Sequence, residues 1–452
     1  MEHVEAVRGW PQLLSQLDRH GDVSLPSPEF ASLAELMATY RMPGFSIAVG
    51  HESGDLWSEG HGVIAAGSPT RVSPRTAFQA CSISKHVAAY GALRLVADGA
   101  LRLDDDVNDH LTSWRVPSNG GWQLRVTVRQ LLAHTAGLSY NWFRGYGEHD
   151  DLPTMVQTLR GEPPANTPPV RVTLIPGSRF RYSGSHYAVL QQLMEDVTGE
   201  PFDELMRALV LEPVGMADSS YHQGFPDQRP ELTAHGHHTD GTPVSGGWRR
   251  IPEMAGAGLW TTPSDLVRLE LEIARAASGQ SPLLPRDLAA EMLTRQVPGG
   301  YGLGTEVSGS GHRLGHTGSN VGYNCLSFAW PGAGVAVAVM VNIDNLPEVL
   351  GCVLNAAERR YSAPSRPAPA ASYDVVGRYR LRDDFVVEIA AADNGLTAAM
   401  PGQPPVVLAP LDSDDRYRIP GLDCEIRFRL ADGQRPTVEI KQESRTETAT
   451  RI

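Results

Sequence analysis

Ser82 and Lys85 have the residue types and the spacing for nucleophilic chemistry. Positions i and i+3 of a helix share a face, so the Lys85 amine would lie beside the Ser82 hydroxyl and accept its proton. The start of such a helix also places backbone N–H groups next to Ser82, where they can stabilise a negatively charged oxygen. The pair is therefore a candidate for a nucleophilic serine that a lysine activates.

Lysine is rare in this chain. Only Lys85 and Lys441 are lysines among the 39 lysine and arginine residues. Because arginine keeps its proton in proteins and a desolvated lysine can lose it, a retained lysine indicates proton transfer. The alternative is that Ser82 only caps a helix and that Lys85 lies on the surface, since Ser-x-x-Lys by itself is a weak signal.

Longer stretches around these residues resemble the serine β-lactamase and penicillin-binding-protein superfamily. More narrowly, they are similar to the branch that contains class C β-lactamases, D-aminopeptidases and β-lactamase-like esterases. The resemblance covers roughly residues 30 to 350 and implies an acyl-serine mechanism. The segments that carry it are Phe78 to Lys85, Leu101 to Val107, Val128 to Leu138 and Gly258 to Leu266.

The second motif of this family is Y-x-N, and the resemblance places it at Tyr182, Ser183 and Gly184. Beside Lys85, the Tyr182 phenol would act as base and acid and relay a proton to the leaving group. Gly184 replaces the asparagine, which would open space and remove a donor that orients amide substrates. This replacement argues against β-lactam hydrolysis. Tyr182 as a structural residue in an aromatic cluster is the alternative.

His316, Thr317 and Gly318 stand where β-lactamases have K-T-G, and H-x-G is a variant among D-aminopeptidases and peptide-cyclising relatives. By this resemblance His316 faces the site from a strand; a structural histidine is the alternative. Gly318, with Thr317 beside it, would let a substrate lie close to the strand backbone. The Ser319 N–H would join the Ser82 N–H in an oxyanion hole.

Two further groups of residues are candidates for binding. An aromatic cluster directly after the third resembling segment could form a substrate wall, although loop packing explains it equally well. The histidine-rich stretch 235–240 lacks a positioned fourth ligand and ends in a turn, so we expect a surface loop there and neither a metal nor a cofactor. The cluster comprises Asn141, Trp142, Phe143 and Tyr146.

Hydrophobic periodicity indicates the elements that position these residues. Strand patterns at 44–50 and 56–63 precede a helical pattern at 82–98 that ends at Gly99. Residues 104–300 are mainly helical, and the strand pattern returns at 301–343. Two strands, a long helical insertion and a hairpin predict one antiparallel sheet with helices on it, an α+β fold that the resemblance makes β-lactamase-like.

A Pro/Ala/Ser linker at 361–372 predicts a boundary between a catalytic domain at 1–360 and a second domain at 373–452. Alternating apolar and polar residues beyond it predict a small all-β barrel or sandwich, and of the two we expect a lipocalin-like barrel. In peptide-cyclising relatives such a domain contributes to the substrate site. The resemblance therefore makes Arg451 a candidate for contacting a substrate carboxylate or capping the pocket, against the alternative of a solvated arginine.

Composition and charge limit the classes of function. Hydrophobic residues make up 41% and charged residues 20%, which excludes disorder, and a net charge of −13 disfavours nucleic acids. The uncharged run 315–343 is broken by Pro331 to Gly334, and the first 22 residues lack the apolar run of a signal peptide. We therefore expect a cytoplasmic protein without a membrane partner that acts on small molecules.

Together these patterns favour a serine hydrolase for small esters or for D-amino-acid and peptide amides. One alternative is an acyltransferase, or a penicillin-binding-protein-type thioesterase that cyclises a nonribosomal peptide taken from a carrier protein. Such enzymes resemble this chain in H-x-G and in the C-terminal β-domain. A second alternative is an inactive homologue that only binds a ligand, which Gly184 favours and Lys85 opposes.

Overall fold

The chain divides into two compact units, and each is described by itself. The first contains the described residues up to Tyr361, and the second contains those from Val375. Except for Tyr361, the predicted linker 361–372 lies outside the described residues. The computed structural model describes residues 33–119, 121–297, 299–308, 311–344, 347–361, 375–382, 385–392, 395–401, 405–411, 415–419, 424–429, 436–442 and 445–452.

An antiparallel sheet forms the centre of the first unit. Its strands are β1 Gly44–His51, β2 Leu56–Gly62, β5 Glu306–Val307, β6 Leu314–Asn320, β7 Tyr323–Trp330 and β8 Val335–Val341, and a separate pair consists of β3 Phe78–Gln79 and β4 Trp260–Thr261. Within the described residues the sheet order is β2-β1-β8-β7-β6-β5. The first and last segments thus share one sheet, which confirms the predicted α+β layout.

All but the first and the last of the α-helices in the described residues lie between β2 and β5. The α-helices are α1 Leu33–Thr39, α2 Ile83–Ala97, α3 Val128–Leu132, α4 Met155–Arg160, α5 Gly184–Thr198, α6 Phe202–Met206, α7 Glu212–Val214, α8 Phe225–Gln228, α9 Met254–Ala257, α10 Pro263–Ala277, α11 Arg286–Met292 and α12 Pro347–Tyr361. Helix α2 is buried on nearly all sides, as expected for a helix in the core. Gly99 follows it in the left-handed conformation (φ 76°) and ends it where the sequence predicts.

The two faces of the sheet carry side chains of different size. Phe45, Ile47 and Val49 of β1 pack in one apolar cluster with residues of α1 and α12. The opposite face carries small residues, because α10 lies directly against it: a Cβ atom added at Gly50 would be 2.5 Å from Val267. Alternating large and small side chains therefore let helices cover both faces.

The second unit is a nearly closed antiparallel barrel, as the sequence predicts. Its strands are β9 Gly377–Arg382, β10 Phe385–Ala392, β11 Gly395–Ala399, β12 Val406–Val407, β13 Ala409–Pro410, β14 Arg416–Arg418, β15 Cys424–Arg429, β16 Thr437–Gln442 and β17 Arg445–Arg451. Among the described residues their order is β12-β11-β10-β9-β17-β16-β15-β14-β13. Strand β17 thus pairs with both β16 and β9. Arg451 stands opposite Tyr379, and its contact with substrate stays a prediction.

The histidine-rich stretch 235–240 is only partly the predicted surface loop. His237 is completely buried. Its Nδ1 donates to the Asn342 carbonyl at 2.9 Å, and its Nε2 accepts from the Ala66 N–H at 3.0 Å. The prediction of a surface loop is therefore wrong for His237, because this ring is buried and hydrogen-bonds to two separate backbone segments.

The uncharged run 315–343 forms strands, as the sequence predicts. It contains most of β6 together with β7 and β8, and the turn at 331–334 separates the last two. None of the helices in the described ranges is long and apolar enough to cross a membrane.

Candidate active site

Ser82 lies at the turn between β3 and α2. The preceding residue, Cys81, has a left-handed backbone (φ 51°), a conformation that costs free energy in a residue other than glycine and is concentrated at functional sites. Ser82 occupies the N-cap position of α2, but its side chain makes no capping hydrogen bond. Its hydroxyl instead lies 3.1 Å from the Nζ atom of Lys85. The serine is thus oriented towards the lysine and away from the helix end.

Lys85 is buried, so the alternative of a surface lysine is wrong. Only 2% of the residue is exposed, and its Nζ also donates to the Gly256 carbonyl at 2.7 Å. Burial lowers the pKa of Lys85 to about 7, because the interior disfavours the ammonium form. Near neutral pH a substantial fraction of Lys85 is therefore a free amine that can accept the Ser82 proton.

Tyr182 completes a three-residue group with Ser82 and Lys85. Its phenol is hydrogen-bonded to the Ser82 hydroxyl, and the Lys85 Nζ lies 5.1 Å from its ring centroid. Burial raises the pKa of Tyr182 well above its usual value, although the hydrogen bond to Ser82 opposes this shift. The phenol keeps its proton at neutral pH, so it can donate a proton while Lys85 supplies the free base.

The ring of a buried histidine packs against the ring of Tyr182. The ring of His134 lies 4.4 Å from the Tyr182 ring, centroid to centroid. The Ser183 N–H points to His134 Nδ1 at 3.4 Å, and burial lowers the pKa of His134 well below its usual value. A neutral ring thus fixes the position of the tyrosine. The sequence placed His134 in a resembling segment without assigning it this contact.

His316 lies close to Tyr182 but does not line the cleft described below. Its ring centroid is 6.2 Å from that of Tyr182, and its Nδ1 donates to the Thr317 carbonyl. Burial and the nearby Lys85 lower the pKa of His316 to about 3. Its Nε2 is buried without a hydrogen-bond partner in the described part of the chain. A neutral acceptor of this kind does not attract a carboxylate.

Gly318 makes room for the turn that carries Ser82. A Cβ atom there would lie 2.7 Å from the Ala80 carbonyl and 2.8 Å from the Cys81 Cβ. Packing against this turn therefore requires a glycine, and the close approach of a substrate to the strand stays a prediction. Thr317 is exposed and lies outside the cleft lining.

Gly184 does not open space, contrary to the expectation from sequence. A Cβ atom at Gly184 would lie 2.5 Å from Cζ of Phe143, and one at Gly256 would lie 2.5 Å from Cε2 of the same ring. Phe143 thus fills the slot between the two glycines. Gly184 has no side-chain hydrogen-bond donor, as expected, but the Phe143 ring occupies the space that a side chain at position 184 would need.

The three-residue group opens into a small cleft. The empty space between its lining atoms is about 270 Å³, a value that includes open solvent. Trp142 is 51% exposed at this cleft, whereas Asn141 is buried. Ser319 shares the cleft with Ser82, as the proposed oxyanion hole requires. The lining residues are Ser82, Lys85, Asn141, Trp142, Phe143, Tyr182, Gly184, Ala257, Ser319 and Asn320.

Three further residues contribute to this site without having been predicted from the sequence. The Gly256 carbonyl accepts a hydrogen bond from Lys85, and Ala257 and Asn320 line the cleft. Gly256 and Ala257 immediately precede the resembling segment that starts at Gly258, so their position next to it could have marked them as site residues. Asn320 follows the H-x-G motif by two residues, but nothing in its local sequence shows which atoms it exposes.

A buried carboxyl group lies just before α9. Glu253 is 1% exposed, and neither of its oxygens has a hydrogen-bond partner among the residues described. Burial raises the pKa of Glu253 to about 7. Since the unfolded group ionises near 4.5, ionisation of Glu253 costs stability as the pH rises from about 4.5 to 7.

Glu253→Gln is expected to remove this pH-dependent loss. The free energy of unfolding of the variant minus that of the wild type should be about 3 kcal/mol larger at pH 8 than at pH 4, at 1.36 kcal/mol per pKa unit. Urea unfolding of both proteins at the two pH values measures the change. Because Lys85 titrates in both proteins, its contribution cancels in the difference. A difference that stays the same at pH 4 and pH 8 would contradict the assignment.

Comparison with known proteins agrees with the fold. Residues 31–358 match the family model described as Beta-lactamase. Penicillin-binding protein 4 of Amycolatopsis lactamdurans is 26% identical over 375 residues, 76% of this chain and 94% of that protein. Esterase EstB of Burkholderia gladioli is 31% identical over 290 residues, 56% and 68% respectively. The octameric penicillin-binding protein homologue of Pyrococcus abyssi is 22% identical with a TM-score of 0.60, covering 92% of this chain and 98% of that one, which shows a shared fold.

Proposed function

The chain belongs to the Beta-lactamase family, and we propose that within it the protein is a serine hydrolase for small esters or amides. One observation carries the proposal: the Nζ of Lys85, with a pKa of about 7, lies 3.1 Å from the Ser82 hydroxyl. A serine is a weak nucleophile until an adjacent base takes its proton. A half-deprotonated lysine at this distance is such a base.

The reaction would proceed through an acyl-serine. Lys85 takes the Ser82 proton as the oxygen attacks the substrate carbonyl, and the N–H groups of Ser82 and Ser319 hold the oxyanion. Tyr182 donates its proton to the leaving oxygen or nitrogen and regains one from Lys85. Water activated by the same pair then attacks the acyl-serine. The products are an acid and the alcohol or amine, and the enzyme returns to its starting state.

Labelling with a fluorophosphonate probe tests the proposal. The probe should label the wild-type protein and leave Ser82→Ala unlabelled, and p-nitrophenyl acetate should release nitrophenol with turnover. A folded wild-type protein that the probe does not label, and that hydrolyses no ester, would instead support the ligand-binding alternative. Aminolysis of a peptidyl thioester faster than its hydrolysis would support the cyclising thioesterase, which uses the same acyl-serine.

Tyr182→Phe is expected to lower kcat/KM for acetyl p-nitroanilide by about 10²- to 10⁴-fold, the usual contribution of a positioned proton donor. The amide nitrogen must be protonated before it leaves, and the phenol contributes that proton, while the ring that packs on His134 stays in place. Steady-state kinetics at pH 8 measure the loss. Tyr301→Phe is a matched control, because its ring lies 6.0 Å from that of Tyr182. The control should stay within about threefold of the wild type, and an unchanged rate in Tyr182→Phe would make Tyr182 structural.

Turnover of penicillins and cephalosporins is expected to be poor. The position of the motif asparagine lacks a donor because Gly184 is there, and the Phe143 ring fills the space beside it. Neutral His316 offers no positive charge to the carboxylate of a β-lactam. Measured kcat/KM values for benzylpenicillin and for the best ester settle the point. Comparable values for the two substrates would overturn this prediction.

A further inference from the structure

One buried histidine contacts three consecutive residues around the candidate proton donor. The His134 carbonyl accepts from the Arg181 N–H at 2.9 Å, and its Nδ1 atom accepts from the Ser183 N–H at 3.4 Å. Between these two bonds, the His134 ring lies against the Tyr182 ring, with 4.4 Å between the centroids and 39° between the planes. His134 thus contacts Tyr182 directly and the main chain on both sides of it.

The backbone of His134 is held in a costly conformation. Its φ angle of 57° is left-handed, which costs free energy in a residue other than glycine and is concentrated at functional sites. The residue is completely buried and lies outside the lining of the cleft. Since its side chain does not reach the cleft, His134 can influence the reaction only through the residues that it contacts.

A second histidine defines the tautomer of His134. His186 donates its Nδ1 proton to the Ser183 carbonyl at 3.2 Å, and the same nitrogen lies 3.3 Å from His134 Nδ1. Because the Ser183 N–H also points to it, His134 Nδ1 is an acceptor, and the neutral ring carries its proton on Nε2. Burial lowers the pKa of both histidines, that of His186 to about 4. The acceptor is therefore present at neutral pH.

The Tyr182 phenol needs a defined orientation, because it serves two oxygens or an oxygen and a nitrogen in turn. In the free protein it is hydrogen-bonded to the Ser82 hydroxyl. As the bond to the leaving group breaks, the phenol gives its proton to the leaving atom, and the Lys85 ammonium returns a proton to the phenol. A displacement of about 1 Å can cost such a step 10²-fold, so a ring packed on one face of the tyrosine affects the rate.

We propose that His134 is a positioning residue, which holds the Tyr182 phenol in place for proton donation to the leaving group. This inference rests on the proposed hydrolase function and concerns which leaving groups the site can release. An amide nitrogen or an alkoxide must receive a proton as it leaves, whereas p-nitrophenolate leaves without one. His134 is therefore needed for amides and alkyl esters and contributes little to the cleavage of activated aryl esters.

Two variants separate the ring of His134 from its acceptor. His134→Asn keeps an acceptor for the Ser183 N–H and tolerates the left-handed backbone, but it lacks the ring. His134→Phe keeps a ring and lacks the acceptor. Each variant should lower kcat/KM for acetyl p-nitroanilide and for ethyl acetate by about tenfold to 10²-fold, whereas kcat/KM for p-nitrophenyl acetate should stay within about threefold.

A double-mutant cycle distinguishes positioning from a general loss of structure. In the Tyr182→Phe background, His134→Asn should change the rate for acetyl p-nitroanilide by less than about twofold, because the phenol through which it acts is already gone. His237→Asn is the matched control. His237 is also completely buried and also accepts a backbone N–H, that of Ala66, but it lies outside the cleft lining. This variant should lower the thermal unfolding midpoint and keep the wild-type ratio of amide to aryl-ester turnover.

Four results would overturn the inference. Unfolding of both His134 variants, equal losses for the amide and the aryl ester, or full additivity with Tyr182→Phe would each make His134 structural only. A wild type that cleaves p-nitrophenyl acetate but neither acetyl p-nitroanilide nor ethyl acetate would overturn the inference alone, because Tyr182 then supplies no proton. A wild type that cleaves none of the three would overturn the hydrolase proposal with it.

Discussion

Ser82→Ala is expected to lower kcat/KM for p-nitrophenyl acetate by at least about 10⁴-fold, because the variant has no oxygen to form the acyl intermediate. The rest of the group should stay in place. Lys85 keeps its hydrogen bond to the Gly256 carbonyl, and the Ser82 side chain makes no capping bond that the helix would lose. Stopped-flow nitrophenol release should show neither a burst nor turnover above the buffer rate.

A thermal unfolding midpoint close to that of the wild type controls for misfolding of Ser82→Ala. A folded variant that retains a tenth or more of the wild-type rate would contradict the role of Ser82. The candidate nucleophile would then have to be another group in the cleft, and the short contact between Ser82 and Lys85 would be structural only.

Lys85→Arg is expected to lower the acylation rate by about 10³-fold or more. Arginine keeps the positive charge, but it does not lose its proton in a protein and so cannot serve as the base. The wild-type rate should rise with pH around the Lys85 pKa of about 7 and level off above it, because only the amine form accepts the Ser82 proton. The residual activity of the variant should lack this rise.

The chain offers a matched control in its other lysine. Lys441 lies in β16 of the barrel and is exposed, so Lys441→Arg should leave both the rate and the pH profile unchanged. A full acylation burst in Lys85→Arg would remove Lys85 from the mechanism. A wild-type rate that does not change between pH 5.5 and 8.5 would do the same.

Contacts between residues that lie close together in the sequence could be predicted from the sequence. Ser82 and Lys85 are three residues apart on α2, so helix geometry alone brings their side chains together. The alternation in the segments that form β9 to β17 likewise predicted a small all-β domain, because every second residue of a half-buried strand faces the interior. In both cases the local backbone determines which side chains are neighbours.

Contacts between distant segments could not be predicted in this way. Phe143 is 41 residues from Gly184 and more than a hundred from Gly256, and only tertiary packing places its ring between them. The same limit applies to Gly318, whose missing side chain accommodates the turn at Cys81. A glycine in a motif shows that space is needed, but the sequence does not show what fills that space.

Intact-protein mass spectrometry of a quenched reaction shows directly whether Ser82 carries the acyl group. The protein is mixed with excess p-nitrophenyl acetate at pH 8, quenched in acid within the burst, weighed and then mapped by peptide digestion. We expect a mass increase of one acetyl group on the peptide that contains Ser82, and no increase in Ser82→Ala. Turnover with no acyl adduct, or an adduct on a different residue, would contradict it.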